Sequence, residues 1–327
     1  MHSVRHRRAA AVAGVLTAAF FAWLPAVPAT AQDGSGLPGA GHRDEPVLGP
    51  VLVNPPTASL ELPFDGVTDS ADERRLTDVA QKRLTTRCMA RYGITYEPQD
   101  PPPVSGPEDR HKYLFGLADP VFAAAHGYDS TAGEPRPPRP EEPELTADGF
   151  TALYGHRPDE MPPMTDPISE EEAQERDSGV PVNGLSVPVD GCLGEGYRTL
   201  YVPTRASIGP MFPFEIASEA HARATADSRM RRTYRAWSIC MTHAGYPGIE
   251  TPYLVQEKLD LGADPGGPEA VAAAVQDVAC KQTVNLVGIG AAIETAYQEQ
   301  VAAEVPDRLA AYRTQRAARL ALAATLP

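Results

Sequence analysis

Apolar residues recur at helical spacing in several separated stretches of the chain. From Ser70 a capping box, Ser70-x-x-Glu73, precedes Leu76, Ala80, Leu84 and Cys88 at steps of four, and Gly93 stands where such a helix would stop. Farther on, Ser218 can cap a run in which Met230, Tyr234, Trp237 and Met241 follow steps of four, three and four, stopped by Gly245. Pro268-Glu269 opens another run through Val271, Val275 and Val278 to Cys280. Residues 285–304 and 307–324 are alanine-rich and favour helix, with interruptions expected at Gly288 and Gly290 and a bend or cap at Pro306. Two shorter helical segments are expected, one from Asp119-Pro120 to Gly127-Tyr128 and one at 150–154 before Gly155.

Two of these helices end alike, in Cys88-Met89-Ala90-Arg91-Tyr92-Gly93 and Cys240-Met241-Thr242-His243-Ala244-Gly245. Each is followed by one more cysteine, Cys192 and Cys280. Four cysteines allow three pairings. The duplication selects one of them, Cys88 with Cys192 and Cys240 with Cys280, one staple per module. In the chain-entropy picture these loops stabilise by about 5 and about 4 kcal/mol. A zinc site is the alternative use of the sulfurs, but no Cys-x-x-Cys or closely spaced histidine pair accompanies them. The expected fold is therefore mainly α: two disulfide-stapled helical modules, long proline-rich irregular segments, and a long C-terminal helix or helix pair.

The irregular part is set by proline, 15 of which fall between residues 98 and 167. Residues 32–68 also lack periodicity and read as a flexible lead-in. The acidic run at 169–177 lacks the alternating spacing of a calcium loop and reads as a solvated helix start or linker. The expected divisions are 1–31, a signal peptide; 32–68, the flexible segment; 69–205, the first module with its proline-rich insertion; and 206–327, the second module with the C-terminal helices.

Residues 1–31 carry Arg5, Arg7 and Arg8, then a nearly unbroken apolar run, then Ala29-Thr30-Ala31 at the cleavage position. An uncleaved anchor is the other reading of this run. No cysteine follows it, which argues against lipid attachment. Cleavage removes three basic residues and no acid, moving the formal charge from −14 to −17. Nucleic acid is a poor partner for such a chain. Oxidised thiols fit an extracytoplasmic compartment. Among the acids runs one basic stretch, Arg308, Arg313, Arg316 and Arg319, which either docks outward or complements Glu294, Glu299 and Glu304.

No catalytic residue, cofactor site or metal site emerges. Gly184-Leu185-Ser186 and Asp129-Ser130-Thr131 do not form a nucleophile elbow, and no strand is expected before them. Glu215, Glu219 and His221 lack the second histidine of a zinc protease. Gly288-Ile289-Gly290 lacks the context of a nucleotide loop. His111, His126, His156 and His243 are scattered, and His243 reads as helix-end packing beside the second staple. Tyrosine–glycine junctions such as Tyr92-Gly93 and Tyr154-Gly155 read as core-covering reversals or, alternatively, as sugar-stacking rings. Carboxylate pairs converge only in space and stay open.

Trp237-Ser238-Ile239-Cys240-Met241 with Gly245-Tyr246, then Asp277-x-x-Cys280-Lys281, Asn285-Leu286-Val287-Gly288, Glu294 and Tyr297-Gln298, resemble a family of uncharacterised exported actinobacterial proteins with two Cys-Met-x-x-x-Gly…Cys modules. Gly191-Cys192-Leu193-Gly194-Glu195 and Tyr113-Leu114-Phe115-Gly116 are similar to its first half. The resemblance covers about residues 75–300 and implies a secreted or cell-envelope location without an activity. The functional expectation is an exported, non-catalytic binding or assembly protein of the envelope, with an envelope protein or a glycan as partner and no stable membrane span after cleavage. The alternatives are a secreted carboxylate-based hydrolase and an accessory of an envelope transport or signalling system.

Overall fold

Ser70 caps the first helix as its spacing predicts. Its hydroxyl accepts from the Glu73 amide while the Glu73 carboxylate accepts from the Ser70 amide, and α1 runs Ala71–Arg91 before Gly93 reverses the chain at positive φ. The computed structural model describes residues 45–103, 106, 108–132, 143–161, 168–176 and 178–326. The expected signal peptide at 1–31 and the first part of the lead-in lie outside the described residues.

Capping side chains start the next helices. Asp119 caps α2, Pro120–His126; Thr146 caps α3, Ala147–Tyr154; and a second capping box of Ser169 and Glu172 opens α4, Glu170–Gln174. The acidic run is thus a helix start, with Glu170 bound to buried Arg198 and Glu171 and Glu175 bound to Arg205. A hairpin follows, β1 Pro181–Val182 and β2 Leu185–Ser186, antiparallel, turning on Asn183 and Gly184 at positive φ. No strand was expected before Gly184, yet Asn-Gly is the strongest short hairpin signal. The remaining helices are α5 Gly191–Tyr201, α6 Phe212–Ala226, α7 Ser228–His243, α8 Val255–Lys258, α9 Pro268–Thr283, α10 Leu286–Glu304 and α11 Pro306–Thr325.

The protein is mainly helical and both expected staples are present, Cys88–Cys192 joining α1 to α5 and Cys240–Cys280 joining α7 to α9, with Cα separations of 5.5 and 5.6 Å. Around the first, Met89, Tyr92, Leu153, Val182 and Val187 form a core. Gly191 allows α5 to start directly against the end of α3, since a Cβ there would sit 2.3 Å from the Leu153 carbonyl. Among the described residues no helix is long and apolar enough to cross a membrane.

Four expectations change. Ser218 is not a cap but lies inside α6, which starts at Phe212, and the expected run is two helices broken at Asp227, whose carboxylate accepts from the Arg229 amide and guanidinium and from the Tyr297 hydroxyl. Gly288 and Gly290 do not interrupt α10; they admit neighbours, for a Cβ at Gly288 would meet the Leu52 carbonyl at 1.9 Å and one at Gly290 the Phe115 ring at 2.5 Å. From residue 45 the lead-in is an anchored strap rather than a flexible segment. Glu45 accepts from the Ser228 amide, Asn285 binds Leu52 and Asn54, Phe64 donates to Gln298, and Leu60, Leu62, Phe64 and Val67 are buried. Its pinning comes from remote partners, so no local period announces it.

The fourth change concerns the two modules, which exchange helices. α2, from the first sequence segment, packs on α9, whereas α11, from the second, packs on α1 and α5. The basic stretch explains part of this: Arg316 binds Asp69 and Glu73, and Arg319, only 4% exposed, binds Asp69 while lying over the Tyr201 ring. These arginines serve the N-terminus of α1, where acids are favoured, and Glu304 takes Arg223 instead.

Ala substituted at Gly288 is expected to push the strap off α10, costing about 1–3 kcal/mol and speeding thermolysin cleavage near Leu52; unchanged cleavage would contradict the close approach. Acid titration probes the Asp227 joint and the α1 cap. Burial acts to raise both carboxyls, but Arg229 holds Asp227, and Ser70 with Arg316 holds Glu73, below their ordinary values. Depressed folded values mean their stabilisation is complete above the ordinary carboxylate range and fades as pH falls through about 4. The urea midpoint is therefore expected to stay flat from about pH 7 to 5 and then drop, with a lower plateau and a shallower acid slope in Asp227→Asn.

Candidate functional site

The inner face of α9 carries Ala273, Ala274, Asp277, Val278 and Lys281, a three-and-four spacing that places two charges in an otherwise apolar stripe. Asp277 and Lys281 are 0% and 1% exposed. Burying them requires partners. Lys281 Nζ donates to Asp277 Oδ2 at 2.8 Å and to the Leu117 carbonyl at 2.6 Å, the Trp237 indole donates to Oδ1 at 2.9 Å, and the Tyr128 hydroxyl donates to Oδ2 at 3.1 Å. Burial pushes the carboxyl up and the ammonium down, and their mutual attraction opposes both shifts. Burial and the adjacent Asp277 push the Tyr128 hydroxyl well above its ordinary range.

This cluster forms one wall of the most promising cleft. Lys281, Gln282 and Val287 face the strap residues Asn54 to Ala58 and the segment Ala118 to Val121, around a volume of about 390 Å³. Prolines 55, 56 and 120 make its sides rigid, and two carboxylates, Asp109 and Asp119, line it. Each is held. Asp109 accepts from the Thr57 hydroxyl and the His111 amide, and Asp119 accepts from the amides of Val121 and Phe122 while capping α2. The cleft thus offers fixed negative charge beside apolar wall, with its one lysine already bound inward. A smaller recess of about 250 Å³ lies between α1 and the following loop, lined by Asp78, Gln81 and Lys82.

A second polar cluster lies on α6 and α10. His221 Nδ1 is 3.1 Å from Glu294 Oε2, Gln298 donates to the other oxygen, and the Gln298 carbonyl accepts from the Phe64 amide. Glu294 is 2% exposed and the His221 side chain about one-third exposed. A buried carboxylate hydrogen-bonded to one ring nitrogen orients the imidazole. The neighbouring Tyr253 ring stands edge-on, its hydroxyl turned to the Leu114 carbonyl.

The residues singled out from sequence are dispersed. His111 pairs with Asp65, His126 packs on Phe122, His156 on Phe150, and His243 lies on the surface groove beside Cys240. Glu219 binds Arg223, so of Glu215, Glu219 and His221 only the histidine enters a polar cluster. Among the described residues no three metal-binding side chains converge. Sequence reasoning passed over Asp277, Lys281, Glu294 and Gln298 as site residues, although each polar pair at i, i+4 within an apolar helix face is a readable signal. The partners Tyr128, Leu117 and Phe64 had no such signal. No protein-family model, curated protein or solved structure matches the chain.

Removing Asp277 would strand a buried ammonium. Asp277→Ala is expected to cost about 3–5 kcal/mol in urea denaturation, and a double Asp277→Asn, Lys281→Met variant to recover most of it. Equal losses in single and double variants would show that the pair is not coupled.

Proposed function

We propose that this chain is an exported, non-catalytic binding or assembly protein of the cell envelope, a member of the actinobacterial family that its motifs resemble. The observation that carries the reading is the cleft between strap, α2 and α9, whose ionisable groups are fixed by internal partners while its apolar and acidic surface faces outward. Such a surface is preorganised to hold a ligand rather than to exchange protons with one. Rigid prolines and two carboxylates suit an extended protein segment bearing a basic residue, and a mature chain of formal charge −17 would attract one. Export is supported by the charged, apolar and small-residue sequence of 1–31 together with two disulfides, which fit an oxidising compartment.

One observation favours a second reading. Asp109 and Asp119 line the same cleft, and a carboxylate pair is what a glycan hydrolase would use. Against it, both oxygens of Asp109 already accept hydrogen bonds, leaving neither free to deliver a proton to a leaving group.

A photo-crosslinker at exposed Ala58, in cells making the full chain, followed by mass spectrometry, tests the binding reading. An envelope protein is expected on the crosslink, with yield reduced about tenfold by Val121→Arg at the cleft rim. Protein free in the medium with nothing crosslinked would overturn it. Release of sugars from cell-wall glycan that is lost in Asp109→Asn would install the hydrolase instead.

A further inference from the structure

The two staples differ in what surrounds them. Cys88 and Cys192 are 1% and 0% exposed, and the Arg91–Glu195 ion pair lies across them, with Arg91 donating to Cys88 Sγ at 3.2 Å and a Glu195 oxygen 3.8 Å away. Cys280 is equally buried, but its partner Cys240 is part-exposed and lies in a surface groove of about 500 Å³ with Ala236, Ile239, His243, Gln276 and Val284. Ile239, 57% exposed, and Val284 present apolar surface in that groove. A disulfide opens only when a thiolate reaches one sulfur with the other as leaving group. Here the reachable sulfur is Cys240 Sγ and the leaving sulfur is Cys280 Sγ. Gln276 Nε2 donates to that leaving sulfur at 3.4 Å, where it would stabilise developing negative charge.

We propose that Cys240 is a thiol–disulfide exchange site, through which the Cys240–Cys280 staple opens and closes in the folded protein against an extracytoplasmic dithiol carrier. A carrier thiolate attacks Cys240 Sγ; a bond forms between carrier sulfur and Cys240, the Sγ–Sγ bond breaks, and its electron pair leaves on Cys280, which takes a proton from water. The carrier's second thiolate then attacks its own bound sulfur, releasing Cys240 as thiolate and leaving the carrier with a disulfide. Two electrons have passed from carrier to staple. The reverse sequence closes the staple and reduces the carrier. Direction is set by helix position: α7 ends at His243 and α9 at Thr283, so both sulfurs occupy last turns, where the negative end of the helix dipole disfavours thiolates. The closed form is favoured, and the carrier serves chiefly as the oxidant that makes or restores this staple. The Cys88–Cys192 staple, sealed beneath its ion pair, exchanges only on unfolding.

Dithiothreitol serves as the probe dithiol. The full chain is held in it without denaturant, quenched with N-ethylmaleimide at intervals, and mapped by peptide mass spectrometry. Cys240 and Cys280 are expected to become alkylated about tenfold or more faster than Cys88 and Cys192, while circular dichroism stays unchanged. Gln276→Leu is expected to slow this opening several-fold without altering the first staple. Equal rates for both staples, rates that rise together with urea-induced unfolding, or no opening of the second staple in the native protein would each overturn the proposal. Should Gln276→Leu not fold, the rate ratio in the unaltered protein decides the matter alone.

Discussion

A carboxylate removed from water must be met by donors, and Asp277 finds three from three parts of the chain. That requirement fixes the packing around the second staple. Trp237 can reach Asp277 only if α7 lies along α9, which also brings Cys240 to Cys280 one turn later on each helix. Tyr128 can reach it only if α2 turns back at Gly127, and Lys281 must in turn hold the Leu117 carbonyl. The disulfide and the ion pair are thus not independent. One restrains the helix ends, and the other selects which faces of those helices meet.

The same constraint positions the cleft. Because Leu117 is tied to Lys281, the following residues Ala118 to Val121 stand beside α9, and the strap closes the other side through Asn285 and the glycine contact at Gly288. Several groups that line the opening also secure its walls: Asp119 caps α2, Asp109 binds Thr57, and Lys281 holds Leu117. The chemistry of the cleft and the stability beneath it therefore rest on the same residues.

Local signals in the sequence carried far. Ser70-x-x-Glu73, the glycine stops and the repeated Cys-Met unit were enough to place helix ends and to pair four cysteines, because caps and turn residues act within a few positions. Asn183-Gly184 was equally local and was missed only because the strands it joins are two residues each. The strap, the helix exchange and the buried cluster were not legible for a different reason. Leu52 meets Gly288, Phe64 meets Gln298 and Asp69 meets Arg319 across more than 230 positions, and no periodicity encodes such a meeting. Of the cleft, only the α9 charges could have been suspected. Its other wall falls in a stretch without periodicity, whose partners are all remote.

The exchange of helices between the two halves bears on how the chain comes to its native state. A ribosome makes α1 early and α11 last, and the contact between Asp69 and Arg319 spans 250 positions. The first core therefore has no lid until synthesis is nearly finished. With so much of its topology deferred, the nascent chain cannot complete its first core for as long as it is being made, which slows folding and leaves the partner faces of α1 and α5 uncovered until the final helix emerges.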